Sequence, residues 1–125
     1  MEKLTQYTPF VARLLLSVLF IVGAYGKLQD MAGFAGYLAM GGVPSFLAWP
    51  AALFELAVGV SMILGYQTRI VALLAAGFCI VTAVLYHRDF AQPMMMVMFL
   101  KNLGLAGGFL MVFTHGPGKI ALDKA

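Results

Sequence analysis

Residues 46–87 read FLAWPAALFELAVGVSMILGYQTRIVALLAAGFCIVTAVLYH. The stretch holds two apolar runs, 46–66 and 68–87, parted by a tight turn around Gly65, Gln67 and Arg69. A bilayer hydrocarbon core ~30 Å thick is crossed by about 20 mostly apolar residues in a helix. Each run is that long, and so short a turn makes them an antiparallel pair. Outward from this pair, residues 9–27 and 93–114 form two further runs of the same kind. The expected fold is all-α, a bundle of four transmembrane helices in one domain over residues 1–125. Pro9 suits a first helical turn. Pro50 marks either the true start of the second span or a kink near the interface.

Composition excludes the main alternatives. The 125 residues are 62% hydrophobic and only 10% charged, with a mean hydropathy of +0.94. A soluble domain is typically about 25% charged, and one this small cannot hide so much apolar surface. The net charge is +3, but the cations are scattered singly, so no basic stripe exists to follow nucleic-acid phosphates. The one cysteine, Cys79, lies in an apolar run, which leaves no disulfide, Cys-x-x-Cys pair or zinc framework. The first run lacks a small-residue cleavage site and three more follow it, so it reads as a permanent span.

The connection between spans one and two is the longest. Asp30 can cap a short helix through Met31, Phe34, Tyr37 and Leu38, stopped by Gly41, Gly42 and Pro44. That reading is an interfacial helix; the alternative is an irregular loop. With the N-terminus inside, the inner side carries Lys3, Arg13, Arg69, Lys119 and Lys124, and the outer side Lys27 and Arg88. The positive-inside rule therefore puts both termini in the cytoplasm, and Trp49 falls at the outer aromatic belt.

Small residues mark close helix contacts in lipid. Span three carries Ala72, Ala76, Cys79 and Ala83 in one stripe, and span four carries Gly104-x-x-x-Gly108. Span one aligns Arg13, Ser17, Phe20, Ala24 and Lys27. These stripes are expected to face one another.

Polar residues inside the spans need more than packing. An isolated carboxylate at Glu55 costs several kcal/mol, so it must be protonated, paired or wet. At ~1.5 Å per residue Glu55 lies about 13 Å and Lys101 about 10 Å from the outer side, which makes Lys101 the expected partner. Arg13, a secondary charge, enters from the inner side. Tyr25, Lys27, Tyr86 and His87 come to similar depth from spans one and three. Together with Glu55, Lys101 and Asn102 they form a candidate intramembrane polar site that can bind a head group or relay protons. The competing reading is a structural Glu55–Lys101 pair that sets helix register.

His87 and His115 fall on opposite sides of the membrane, which disfavours a haem held by both. His115, beside Gly116-Pro117-Gly118, reads as a cap or interface residue. No metal-spaced cluster, nucleotide loop or Ser–His–Asp set occurs, so no metal is expected. Met94-Met95-Met96 and Met98 suit soft metals or, more plainly, flexible packing.

The ordered set Arg13, Phe20, Gly23, Gly26-Lys27, Gly42-Val43-Pro44, Glu55, Gly59, Gly65, Arg69, His87, Phe99, Lys101-Asn102, Gly116-Pro117-Gly118 and Asp123 resembles the DoxX family of small four-helix membrane proteins. The likeness covers nearly the whole chain and is nearest to enterobacterial inner-membrane members. The Met run is not a feature of every member. The resemblance implies a bacterial inner-membrane protein. The family takes its name from a membrane subunit of an archaeal thiosulfate:quinone oxidoreductase, and other members associate with soluble sulfur-transfer and superoxide-detoxifying proteins. It thus implies a membrane subunit or partner of a redox or oxidative-stress system, with quinone as candidate cofactor and soluble redox or sulfur-transfer proteins as partners. A structural anchor and a small-solute transporter, the latter requiring a homo-oligomer, are the alternatives.

Overall fold

The computed structural model describes residues 2–86 and 91–123. Its regular elements are all helical: α1 (Glu2–Gln29), α2 (Met31–Met40), a 3-10 turn (Ser45–Leu47), α3 (Ala48–Leu64), α4 (Thr68–Tyr86) and α5 (Pro93–His115). Among the described residues four helices are long and apolar enough to cross a membrane, the second counted from Ser45 so that it takes in the 3-10 turn ahead of α3; α2 is not. Lipid-facing side chains such as Leu15, Val22, Leu74, Val97 and Met111 are at least half exposed.

The span boundaries agree with the sequence reading except in α1. That helix begins seven residues earlier than position 9, so Pro9 lies inside it rather than in its first turn. Proline has no N–H for the preceding turn; just ahead of it, the Thr8 hydroxyl donates to the Leu4 carbonyl. Pro50 sits in the first turn of α3 and marks a start, not a kink. The short helix α2 is present, and the Asp30 carboxylate accepts the Gly33 N–H at 3.0 Å as its N-cap.

The most extensive packing is α1 on α3 and α4 on α5, while α3 and α4, though joined by the tight turn, touch less. The small-residue stripe of α4 is buried as its spacing predicts: Ala72, Ala76, Cys79 and Ala83 are at most 3% exposed. Arg13, Ser17, Phe20 and Ala24 of α1 are buried likewise, at most 5% exposed. The α5 stripe differs from expectation. Asn102, Ala106, Phe109 and Val112 face inward, and Gly104 is exposed. Phe109 supplies the reason. Its ring meets Phe20 edge-on at 5.3 Å and is fully buried, so this bulky knob sets the rotation of α5 and turns Gly104 outward. Between α1 and α3 the approach is close; a Cβ on Gly59 would overlap the Ile21 side chain.

Both termini gather at one end of the bundle. Gly65, with φ of 69°, ends α3 in the left-handed conformation that glycine adopts freely. After α5 the chain folds back beneath this turn. Leu122 N–H donates to Leu64 O at 2.9 Å and Asp123 N–H to Gly65 O at 2.8 Å. The Asp123 carboxylate accepts the N–H groups of Gln67 and Thr68 at 2.9 and 2.7 Å, capping α4 from a distant part of the chain. Arg13 completes the closure, donating to Met62 O at 2.9 Å and to Ile120 O.

Burial alone would raise the Asp123 carboxyl, but the hydrogen bonds from Thr68 and Gln67 and the charge of Arg13 outweigh it and hold it below its ordinary value. A lowered folded value means the carboxylate stabilises the docked tail fully above the ordinary carboxylate range. The contribution is lost as pH falls through the lowered value. Asp123→Ala should cost about 1 kcal/mol, as for other capping residues, and should speed carboxypeptidase trimming of the tail at neutral pH. Trimming at the wild-type rate would contradict the cap.

Candidate functional site

At the opposite end, α2 folds over the bundle and closes one wall of a cavity of about 330 Å³. Phe34 and Leu38 of α2 pack on Ala48 and Ala52 of α3. The Tyr37 and Tyr86 rings stack at 4.7 Å, and the Tyr86 hydroxyl donates to Leu38 O at 2.9 Å. Gly41 makes this contact possible, since a Cβ there would overlap the Tyr86 ring. The rest of the wall comes from Phe20 and Gly23 of α1, Phe78 and Thr82 of α4, and Met98 and Leu105 of α5.

Five of the seven expected site residues line this cavity: Lys27, Glu55, Tyr86, Lys101 and Asn102. Tyr25 does not. It lies two residues from Lys27, about 200° around the helix, and its side chain is exposed on the outer face. His87 lies outside the described residues, as does the histidine-separation argument that depended on it. Arg13 is at the other end of the bundle, in the tail closure.

The pairing inside the cavity corrects the sequence reading. Glu55 meets Lys27, with Nζ 2.5 Å from Oε1, and not Lys101. Depth along the axis misled because side chains lean toward the N-terminus of their own helix. Lys27, on α1, therefore leans back into the bundle. Glu55 and Lys101 sit on helices that run the other way and lean toward the α2 end. Glu55, leaning opposite to Lys27, thus approaches it. Gly23 opens the space, because a Cβ there would stand 3.2 Å from Glu55 Oε2. The Lys27 ammonium also lies 5.2 Å from the centre of the Phe34 ring, within cation–π range.

The other polar groups are tied into the fold. Asn102 Nδ2 donates to Thr82 Oγ1 at 2.9 Å and to Cys79 O at 3.2 Å, locking α5 to α4. Thr82 in turn donates to the Phe78 and Cys79 carbonyls. Burial and the neighbouring Tyr86 phenol push the Tyr37 hydroxyl up, so it stays a neutral donor. Lys101 lines the cavity, is exposed, and pairs with no acid among the described residues. Nor do three His, Cys, Asp or Glu side chains converge among them. The Met run is split: Met98 faces the cavity, while Met94 and Met96 are exposed.

The DoxX family model matches residues 8–88, a stretch that includes Arg13, Lys27, Glu55 and Tyr86. The chain belongs to the DoxX family. This DoxX protein is 40% identical over 124 residues to the inner membrane protein YqjF of Escherichia coli, covering 99% of this chain and 95% of that one. It is 32% identical over 122 residues to the inner membrane protein YphA of the same organism, covering 91% and 86%. CatD of Bacillus subtilis, whose name proposes an oxidoreductase, is 34% identical over 76 residues, 61% of this chain and 57% of CatD. No solved structure matches the chain. A DoxX membership and four apolar spans make it a multi-pass membrane protein in contact with lipid.

In this DoxX cavity the α2 wall is what sequence reasoning missed, namely Phe34, Tyr37 and Leu38. Their helical spacing was visible, but not the face they cover. Thr82 was within reach, since it lies one turn from Tyr86 on the inward side of α4.

Proposed function

We propose that this protein sits in the inner membrane with both termini in the cytoplasm and serves as the membrane partner of a redox system, binding the head group of a quinone in the cavity beneath α2. One observation supports this above the others. A space of about 330 Å³ is walled by Phe20, Phe34 and Phe78 and holds the Lys27–Glu55 pair beside Lys101. Small-molecule sites run from about 300 to 1,000 Å³, mostly apolar with a few placed polar groups. The aromatic walls suit a flat ring, and ammonium groups suit its carbonyl oxygens. The inner membrane follows the names of YqjF and YphA, and the redox role is in keeping with the oxidoreductase that the name of CatD proposes.

A bound quinone supplies two-electron redox chemistry that side chains lack. The chain's own residues hold and orient it. Phe34 and Tyr37 would shield such a ring from water on the α2 side, Lys101 would offer its oxygen atoms an ammonium donor, and Glu55, held by Lys27, would exchange a proton. Electrons would arrive from a soluble partner.

The protein purified in mild detergent should carry quinone, detected by solvent extraction and mass spectrometry at close to one per chain, or take it up from added short-chain quinone. Neither endogenous quinone nor saturable uptake would contradict the reading.

A further inference from the structure

We propose that this site selects the anionic form of an acidic, hydroxyl-bearing quinone over a neutral one, through Lys101. The inference rests on the quinone reading above and adds the charge of the ligand to it.

Both N–H bonds of the Asn102 amide are spent on Thr82 and Cys79. The Thr82 hydroxyl donates to backbone carbonyls of its own helix. The Tyr86 hydroxyl donates to Leu38 O. Apart from the weak Cys79 thiol, the side-chain donors left for a ligand are the Tyr37 phenol on the α2 wall and the two ammonium groups. Lys27 is already engaged by Glu55 and by the Phe34 ring. Lys101 is engaged by neither. Among the described residues lining the cavity, two cations thus face one carboxylate, an excess of one positive charge. In low-dielectric surroundings an uncompensated ammonium is costly, and a ligand that brings a negative oxygen relieves it. A neutral carbonyl relieves it only in part. The apolar walls still demand a flat hydrocarbon body, which favours a ring anion over a small inorganic one.

Two naphthoquinones of similar shape separate the claims. The 2-hydroxy-1,4-naphthoquinone is ionised at neutral pH, and 2-methyl-1,4-naphthoquinone is neutral. Binding of each to the full chain in nonionic detergent is measured for wild type, Lys101→Met and Lys101→Arg. Comparison between variants cancels partition of the ligands into micelles. Among the described residues Lys101 has no acid partner to lose, so both variants should keep the wild-type melting behaviour. Expected is a loss of about tenfold or more for the hydroxylated ligand in Lys101→Met, in line with a charge-assisted hydrogen bond, with the neutral ligand changed less than about threefold and with Lys101→Arg close to wild type. Equal changes for both ligands, or no change for either, would overturn the charge selection while leaving quinone binding standing. If neither ligand binds the wild type, both readings fall.

Discussion

Replacing Arg13 with methionine should release the C-terminal tail and lower stability by about 2–3 kcal/mol, the range for losing hydrogen bonds from a charged donor. Arg13 is fully buried and joins three separate parts of the chain, namely α1, the last turn of α3 through Met62 O, and the tail through Ile120 O. Methionine keeps much of the volume and removes every donor. Two carbonyls then lose a charged partner, and Asp123 loses a nearby positive charge. The cost is held down because the guanidinium is itself imperfectly satisfied. Its Nε is buried without a partner among the described residues, and removing a buried charge recovers part of its desolvation. Thermal unfolding in mild detergent and carboxypeptidase digestion report the two effects. A protected tail and an unchanged midpoint in Arg13→Met would show that the closure does not depend on this side chain. Ligand binding at the α2 end should survive the substitution.

Glu55→Gln should weaken ligand binding and destabilise the fold, and the two effects separate in a double-mutant cycle with Lys27→Met. Removing one member of a fully buried pair costs about 3–5 kcal/mol. Lys27 keeps 30% of its side chain exposed and can turn toward water, so the expected coupling is smaller, about 1–2 kcal/mol, near the upper end of interhelical polar contacts in membranes. The double variant should therefore regain stability relative to Glu55→Gln alone. If the pair only fixes helix register, the double variant should bind quinone as wild type does. If it forms part of the site, binding stays impaired although the fold has recovered. The second result is expected.

What could be read from residue order was the number of spans, the limits of all but α1, and the inward faces of α1 and α4. The α4 stripe Ala72, Ala76, Cys79 and Ala83 needs no knowledge of neighbours, because small residues at helical spacing in lipid have packing as their main use. Asp30 with Gly41 and Gly42 likewise announced α2 locally. Relations between helices were harder to read. Glu55 and Lys101 match in depth, yet depth is one coordinate of three. Helix direction and the gap left by Gly23 gave the carboxylate to Lys27. Gly104-x-x-x-Gly108 looked like a contact face, but Phe109 decided the rotation of α5. The tail closure was also hidden, since Asp123 caps a helix 55 residues away in sequence and nothing local marks it as a cap. The cavity itself depends on where α2 comes to rest, a property of the assembled bundle.

If a quinone binds in the space beneath α2, filling that space must abolish binding. Ala51 lines the cavity one turn before Glu55 and is only half-buried. Phenylalanine at that position would project into the space while both residues of the Lys27–Glu55 pair are kept. Short-chain quinone should be titrated into wild type and Ala51→Phe in nonionic detergent, with circular dichroism and thermal midpoint as checks on the fold. The account predicts saturable binding to the wild type and a loss of at least about tenfold, or 1.4 kcal/mol, in a variant that remains folded. Equal binding to both proteins would place the ligand elsewhere and contradict it.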